Sequence, residues 1–502
     1  KVSIGQFYGI EINDFAVTVA KTALWIAESQ MLKETESIVN MDLDFLPLKS
    51  YANIVEGNAL RIDWESVVPK HELNYIMGNP PFVGYSLQSE EQKKDILSIY
   101  VDEKGKPYKT AGKIDYVSGW YFKASDMMEG TSIRTAFVST NSITQGEQVA
   151  GVWKPLYDRF NIHIDFAHRT FRWDSEASIK AHVHCVIVGF SNITSSKKKQ
   201  LYSSERMQLV DNINAYLIEA PDIFIESRNK PICDIPQMST GNRPADGGHL
   251  IIEKEDYDEF IKKDPNSIKY IKKLTGAVEY INNKDRYCLW LVNANPSEIR
   301  HMPEVMKRIE LCRQDRLQGA PDRQKLADTP MLFRETKNPI SYIIMPLTSS
   351  ENRKYVPMGF LDENTIPTNA ATIIEGATVY ELGILTSNVH MAWMRAVCGR
   401  LKSDYRYSKD IVYNNFPWPM PTAEQQAKIE KTAQAILDAR ALYPDCSLAD
   451  LYDELTMPPE LRKAHQENDR AVMQAYGFDI KTTTESSCVA ELMKMYQKLT
   501  KE

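Results

Sequence analysis

Residues 76–85 read Ile-Met-Gly-Asn-Pro-Pro-Phe-Val-Gly-Tyr, and this stretch decides the expected fold. A short apolar strand over residues 73–77 is expected to run into the tetrad of residues 79–82, Asn-Pro-Pro-Phe. Two consecutive prolines fix φ near about −65° and remove two backbone donors, so the loop is stiff. A stiff polar loop directly after a strand is typical of α/β sheets, in which ligands bind beyond the strand ends.

The tetrad suits chemistry on a planar amino group. The Asn79 side-chain oxygen and the Pro80 carbonyl can each accept a hydrogen bond from an exocyclic NH2 group, which makes that nitrogen more nucleophilic. Pro81 stiffens the loop, and the ring of Phe82 would stack on the base being modified. The same residues also fit an ordinary proline turn that closes a strand, so the neighbouring strand ends have to be considered as well.

Two other strand ends carry polar side chains. The first strand ends in Glu11, after which Asp14 is expected to cap a helix, and the second carries Asn58. Ligands of open parallel sheets bind outside the carboxyl ends of the strands, so Glu11, Asn58 and Asn79 are expected to line one crevice. Glu11 has the position of an acid that binds ribose hydroxyls, although a carboxylate at a helix N-terminus is also favoured without a ligand.

Further strands are expected over residues 133–139, 162–167 and 183–190. The last alternates apolar and polar residues, which indicates antiparallel edge strands that close the sheet. Helices are expected over residues 422–442, with a Thr422 cap, and over residues 459–476.

Composition limits the class of protein. The 502 residues are 43% hydrophobic and 25% charged, typical of a soluble globular protein with two or three domains of about 150 residues each. The net charge of −7 means that any nucleic-acid site must be a local basic patch. The seven cysteines form no Cys-x-x-Cys pair, so neither a zinc ribbon nor a disulfide framework is indicated, and reduced thiols in the cytoplasm are expected.

Residues 1–190 resemble a class I, S-adenosylmethionine-dependent DNA adenine-N6 methyltransferase. Residues 9–13 resemble its ribose-binding motif, residues 56–60 its cofactor-adenine motif, in which the family more often has Asp, and residues 79–82 match its catalytic motif fully. The resemblance implies a catalytic loop made of Asn79, Pro80, Pro81 and Phe82. It also implies S-adenosylmethionine contacts from Glu11, Ile12, Asn58, Ala59 and Asn79.

The rest of the chain resembles MmeI-like (type IIL) restriction-modification enzymes. The resemblance is carried by residues 238–248, 403–408 and 412–419. It implies an α/β protein in three parts: a partial class I methyltransferase (Rossmann-like) sheet over residues 1–200, a mixed α/β target recognition domain over 201–418 and a helical C-terminal region over 419–502.

The sequence departs from this family in one respect. No Gly-rich, methionine-binding loop precedes Glu11, although the family keeps that loop upstream of the ribose-binding acid. Such loops let the backbone approach the cofactor closely, so we expect weak or absent cofactor binding and a chain truncated inside its catalytic domain. No nuclease motif is found, and DNA cleavage by these residues is not predicted.

Two segments are candidates for DNA contacts. The many basic residues of 300–354, Arg316 among them, are assigned mostly to solvated helix faces. Better candidates flank the expected strand 340–346, and residues 399–407 interleave cations with aromatics, which suits phosphate contacts or, alternatively, a loop whose tyrosines pack inward. The candidates are Arg334, Glu351, Asn352, Arg353, Lys354, Arg400, Lys402, Tyr405 and Arg406.

The sequence therefore predicts a site-specific methyltransferase that acts on N6 of an adenine flipped out of double-stranded DNA, as part of a restriction-modification system. Cytosine C5 chemistry needs a Pro-Cys pair, which is absent; cytosine N4 is harder to exclude, but Asn before the prolines favours adenine by resemblance. The alternatives are a methyltransferase of RNA or of protein glutamine, and a DNA-recognition fragment without activity. We expect a cytoplasmic monomer that needs neither metal nor membrane.

Overall fold

The structure is a computed structural model that describes residues 3–39, 53–174, 182–204 and 206–500. The chain forms two compact units, one of residues 1–144 with 148–224 and one of residues 145–147 with 225–502. No described helix combines the length and apolar character that a membrane crossing requires. The division into three parts at residues 200 and 418 stays a prediction.

The first unit alternates strands and helices. Its elements are β1 (Tyr8–Glu11), α1 (Asp14–Val39), β2 (Asn53–Glu56), β3 (Tyr75–Gly78), α2 (Glu90–Ile99), α3 (Ser118–Met128), β4 (Arg134–Thr140), α4 (Gly146–Phe160), β5 (His163–Asp174), β6 (His182–Ser191), β7 (Lys199–Ser203) and β8 (Arg206–Val210). Strands β1 and β2 pair in parallel as a two-stranded sheet, and the other six form a second sheet in the order β3-β4-β6-β5-β7-β8.

An aromatic core holds the larger sheet against its helices. The ring of Tyr121 on α3 stacks on Phe190 of β6 at 5.1 Å between centroids. It also meets Phe137 of β4 and Trp153 of α4 edge-on, at 5.1 and 5.2 Å. All four side chains are buried, so the sheet faces α3 and α4 through large rings that contribute most to the energy of the core.

The predicted strands are confirmed, but two details were wrong. Strand β6 is not an edge strand: it lies antiparallel between β4 and β5. Its successive residues Cys185 and Val186 point to opposite faces of the sheet, and both are buried. The cap of α1 is Asn13 rather than Asp14, since the Asn13 Oδ1 accepts from the Ala16 N–H at 3.0 Å. Helix α1 continues to residue 39.

The second unit combines three small sheets with helices. Its elements are β9 (Met238–Thr240), β10 (Ile251–Glu253), α5 (Lys254–Lys263), β11 (Ile271–Thr275), α6 (Ala277–Asn282), β12 (Arg286–Leu289), α7 (Pro296–Ile299), α8 (Pro303–Leu317), α9 (Pro321–Gln324), β13 (Ser341–Pro346), β14 (Thr348–Ser349), β15 (Gly359–Asp362), β16 (Thr365–Pro367), β17 (Ala371–Glu375), α10 (Val379–Leu385), α11 (Asn388–Val397), β18 (Gly399–Leu401), β19 (Asp404–Arg406), α12 (Ala423–Ala441), α13 (Leu448–Leu451), α14 (Pro459–Ala475) and α15 (Glu485–Thr500). The sheets have the orders β10-β12-β11-β16, β15-β13-β17-β9 and β14-β19-β18.

The helical C-terminal region has the predicted signals. The Thr422 hydroxyl accepts from the Gln425 N–H at 3.2 Å, and the Gln425 side chain accepts from the Thr422 N–H at 2.9 Å, so α12 begins with a capping box as expected. Helix α14 begins at Pro459, where a proline suits the first helical turn.

Candidate functional site

The Asn-Pro-Pro-Phe loop begins where β3 ends. Pro80 is buried, whereas Asn79 and Pro81 are exposed and Phe82 keeps 36% of its surface exposed. The Val83 N–H donates to the Pro81 carbonyl at 3.2 Å, which tightens the loop after the prolines. Within the described parts of the chain, no donor bonds to the Asn79 side-chain oxygen or to the Pro80 carbonyl. Both acceptors therefore lack a protein donor, and the exposed side chain of Asn79 is open to a ligand beside an exposed ring.

The ends of β1 and β2 lie side by side. Glu11 is paired in register with Glu56, and the Gly57 N–H donates to the Glu11 carbonyl at 2.8 Å. The half-buried Glu11 carboxylate accepts the Asn13 N–H through Oε1 at 3.2 Å, and its Oε2 has no partner among the described residues. Ile12 is 68% exposed. This strand end thus offers a free carboxylate oxygen next to an open apolar surface.

The side chain of Asn58 is held by its neighbours. Its Oδ1 accepts the Leu60 N–H at 2.9 Å, and its Nδ2 donates to Asp95 Oδ2 at 3.2 Å. The buried Asp95 carboxylate also accepts from Arg61 Nε at 2.8 Å and from the Tyr116 hydroxyl at 2.9 Å. Burial, with the hydrogen bond to Asp95, raises the pKa of Tyr116 to about 12, so the phenol remains protonated and donates.

The three predicted strand ends are divided between two sheets. Glu11 and Asn58 are brought together by the β1–β2 pair, and Ala59, whose carbonyl accepts from Trp64 Nε1 at 2.9 Å, follows Asn58 directly. Asn79 follows β3, which belongs to the larger sheet. Asp95, whose carboxylate links the β1–β2 pair to the rest of the unit, was not among the residues predicted from the sequence. A lone acid in a helix carries no distinctive pattern.

The two DNA-binding candidate segments are brought together in the second unit. Strands β14, β19 and β18 form one antiparallel sheet, and a Glu351 Oε2 to Arg400 Nη1 ion pair of 3.5 Å joins its two ends. Lys402 takes a left-handed φ of 57° in the β18–β19 turn and is exposed, as is Arg406. The hairpin therefore presents two cations to solvent, Lys402 at its turn and Arg406 at the far end of β19.

Tyr405 does not present an exposed ring. It is 6% exposed and lies under the Arg400 guanidinium, 3.9 Å from ring centroid to Cζ. Tyr407 is buried as well and bonds through its hydroxyl to His390 Nε2 at 3.0 Å. The alternative of inward-packed tyrosines is therefore the observed one, because both rings fill the core beneath this sheet.

The other four candidates have mixed surroundings. Arg334 pairs with Asp322 at 3.3 Å and with Glu335 at 3.6 Å, so its charge is partly compensated within the protein. Asn352 is exposed and Arg353 is half-buried, while the Lys354 Nζ lies 5.3 Å from the centroid of the Tyr355 ring. Of these side chains, Asn352 is exposed and offers an amide that can read a base edge.

Comparison with known proteins agrees with this arrangement. Residues 1–203 match the family model for the MmeI DNA-methyltransferase domain, residues 219–420 the MmeI target recognition domain and residues 421–502 the MmeI C-terminal domain. The fold is thus α/β, with a methyltransferase domain followed by a target recognition domain and a helical C-terminal region.

Two relatives extend the likeness over the whole chain. The chain is 42% identical over 505 residues to DNA methyltransferase A of Bacillus subtilis (strain 168), covering 99% of this chain and 56% of that protein. It is 44% identical to the type IIL restriction-modification enzyme MmeI, solved in complex with DNA, with a TM-score of 0.88 over 100% of this chain and 67% of that one. The chain thus spans little more than half the length of the curated relative. It belongs to the MmeI-like family of type IIL restriction-modification enzymes.

Proposed function

We propose that this chain is a site-specific DNA methyltransferase that transfers a methyl group from S-adenosylmethionine to N6 of an adenine flipped out of double-stranded DNA, within a restriction-modification system. The unpaired acceptors at the end of β3 carry the proposal. The Asn79 oxygen and the Pro80 carbonyl have no donor among the described residues, and they lie beside the exposed ring of Phe82. This is the chemistry that recognises an amino group on a flat ring.

The residues of the loop position and activate the base. Flipping costs a few kcal/mol of unstacking and unpairing, part of which stacking on Phe82 would recover. Asn79 and Pro80 accept the two N6 hydrogens, which raises the electron density on the nitrogen. Bound S-adenosylmethionine supplies an electrophilic methyl group on a positively charged sulfur. With the cofactor bound, Asn79 and Pro80 would hold N6 in line with that methyl group, so that an N–C bond would replace the C–S bond and the extra N6 proton would pass to solvent; positioning would supply most of the acceleration.

The residues at the ends of β1 and β2 fit the cofactor. The free Oε2 of Glu11 can accept from ribose hydroxyls, and the exposed Ile12 can pack on the adenine ring. Asn58 has one N–H left over, since its oxygen and its other N–H are taken by Leu60 and Asp95. It therefore offers a donor to a ring nitrogen, rather than an acceptor to the adenine amino group.

Sequence recognition is assigned to the second unit. Arg400, Lys402 and Arg406 provide cations for phosphates at the β18–β19 hairpin, and Glu351 and Asn352 provide groups that can read base edges. MmeI itself was solved with DNA, which supports a DNA partner for this chain. We propose that the protein acts as a monomer.

Calorimetric titration of the 502-residue chain with S-adenosylmethionine tests the cofactor part. We expect saturable binding that Glu11→Ala weakens by about tenfold or more, because a charged hydrogen bond is lost. Glu34→Ala, an exposed acid on α1, is the control and should bind like the unmodified chain. Absence of heat at any cofactor concentration, with DNA still bound, would instead support a recognition module without activity.

A further inference from the structure

We infer that Asp115 and Tyr116 clamp together two loops of the first unit, and that both are positioning residues for methyl transfer. The two loops are the cofactor loop, residues 57–62, and the base loop, residues 79–85. The consequence for methyl transfer rests on the proposed function, because the proposed function assigns these loops to the cofactor and to the base. The contacts that define the clamp are independent of that assignment.

One side of the clamp holds the base loop. The Tyr116 N–H donates to the Val83 carbonyl at 2.9 Å, and the Asp115 Oδ1 accepts the Tyr85 N–H at 2.9 Å. Both bonds reach the residues that directly follow Phe82. Asp115 is buried, so its carboxylate is fixed in place, and its part-buried bond to Tyr85 holds the exit of the loop.

The other side holds the cofactor loop through Asp95. The Tyr116 hydroxyl donates to Asp95 Oδ2 at 2.9 Å, and the same oxygen accepts from Asn58 Nδ2 at 3.2 Å. The second oxygen of Asp95 accepts from Arg61 Nε at 2.8 Å. A single residue, Tyr116, thus holds the base loop with its backbone and the cofactor loop with its side chain.

The clamp is itself anchored to the end of β4. Ser142 Oγ donates to Asp115 Oδ2 at 2.5 Å and lies 2.8 Å from Thr140 Oγ1, the last residue of the strand. The Asp115 N–H donates to the Gln148 side chain at 3.0 Å. The Asp115 N–H and both of its carboxylate oxygens therefore have hydrogen-bond partners. Together, Asp115 and Tyr116 link the segments that follow β2, β3 and β4.

Close packing adds a second contact to the cofactor loop. Helix α3 begins two residues after Tyr116, and a Cβ placed on its Gly119 would lie 2.9 Å from both Leu60 methyl carbons. That distance is shorter than side chains tolerate, so only glycine lets α3 lie this close to the loop. Movement of the clamp would therefore displace Leu60 as well as Asn58.

Hydrogen exchange of Tyr116→Phe tests the coupling, because the variant removes only the hydroxyl. We expect amides in both loops to exchange about tenfold faster, since losing a buried hydrogen bond destabilises the shared arrangement. Tyr100→Phe is the matched control: its hydroxyl donates to the Val152 carbonyl at 2.6 Å in the same unit and touches neither loop. A change confined to the cofactor loop would overturn the inference.

The reciprocal variant changes the residue of the clamp that contacts the base loop. Asp115→Asn should loosen the cofactor loop too, although Asp115 does not touch it; if that chain does not fold, Ser142→Ala removes one bond of the same carboxylate. In methyl-transfer assays, Tyr116→Phe should raise KM for S-adenosylmethionine and lower kcat together, whereas a merely structural role would lower only the melting temperature. If the unmodified chain transfers no methyl group, the proposed function fails, and hydrogen exchange still decides the clamp.

Discussion

Two acceptors of the base loop in the first unit have no hydrogen-bond donor among the described residues, whereas the carbonyls around Arg316 in the second unit are paired with its guanidinium. Arg316 on α8 is fully buried and donates to five backbone carbonyls, those of Pro244, Ala245, Leu326, Thr329 and Leu332. The acceptors of Asn79 and Pro80 have no donor among the described residues. Acceptors that the protein saturates hold loops together, whereas unsaturated acceptors beside an exposed ring are available to a ligand.

Removing Arg316 should give the largest loss of stability. Arg316→Met leaves five backbone carbonyls without their donor and removes a buried guanidinium, so we expect the free energy of unfolding of the second unit to fall by about 3–5 kcal/mol. Urea unfolding measures it. Arg313→Met, an exposed arginine on the same helix, is the control and should change stability by less than about 0.5 kcal/mol. Equal effects of the two variants would contradict the structural role of Arg316.

Removing the open acceptor should abolish most activity without loss of stability. Asn79→Ala takes away one of the two groups that accept from the amino nitrogen, so the methyl-transfer rate should fall by about 10²–10³-fold. Steady-state transfer of labelled methyl groups to DNA measures it. Asn74→Ala, an exposed asparagine just before β3, is the matched control and should be fully active. A fall in melting temperature of the Asn79 variant would mean that the side chain is structural after all.

A buried carboxylate in the second unit should make the stability of the protein depend on pH. Asp469 accepts from the Tyr355 hydroxyl at 2.6 Å and from the Asn388 N–H at 2.8 Å, and burial raises its pKa to about 6. The folded state therefore holds the proton more tightly than the unfolded state, so stability falls as the pH rises from about 4 to about 6.

Asp469→Asn cannot ionise and should lack this loss. Its free energy of unfolding should gain about 2–3 kcal/mol relative to the unmodified protein between about pH 4 and pH 6.5. Urea unfolding at several pH values measures the difference. A difference that does not vary with pH would show that Asp469 titrates normally in the folded protein.

The smallest effect is expected at the β18–β19 turn. Lys402→Gln removes one exposed cation, so DNA affinity should fall by about 1 kcal/mol for all sequences alike, and the salt dependence of binding should become less steep. Lys431→Gln, an exposed lysine on α12, should bind DNA normally. A loss restricted to one DNA sequence would place Lys402 at a base edge instead of a phosphate.

The sequence predicted the parts that local patterns encode. Strand positions, the Thr422 cap and the stiff loop after β3 follow from periodicity, capping chemistry and prolines. Arg316 was assigned to a solvated face, because a mixed-charge helix does not show which of its arginines meets carbonyls far along the chain. The position of β6 inside the sheet also depends on partners distant in sequence.

The clamp could not be predicted from the sequence for the same reason, because its contacts join residues that are distant in the chain. Asp115 is separated by 30 residues from Tyr85 and by 27 from Ser142, and no short motif links them. One signal was present: Asp115 lies between Ile114 and Tyr116-Val117, an apolar setting in which a charged residue needs a partner. Local patterns thus predict the loops that carry the site, and only the fold shows what holds them in place.

The identity of the methylated nucleoside tests the central claim most directly. The chain is incubated with millimolar labelled S-adenosylmethionine and unmethylated bacterial DNA, and the DNA is then digested to nucleosides for mass spectrometry. We expect the label in N6-methyladenine. The Asn79→Ala variant should give no such label, and the Asn74→Ala variant should give it as the unmodified chain does. Label in a methylcytosine, or no label in DNA at any cofactor concentration, would contradict it.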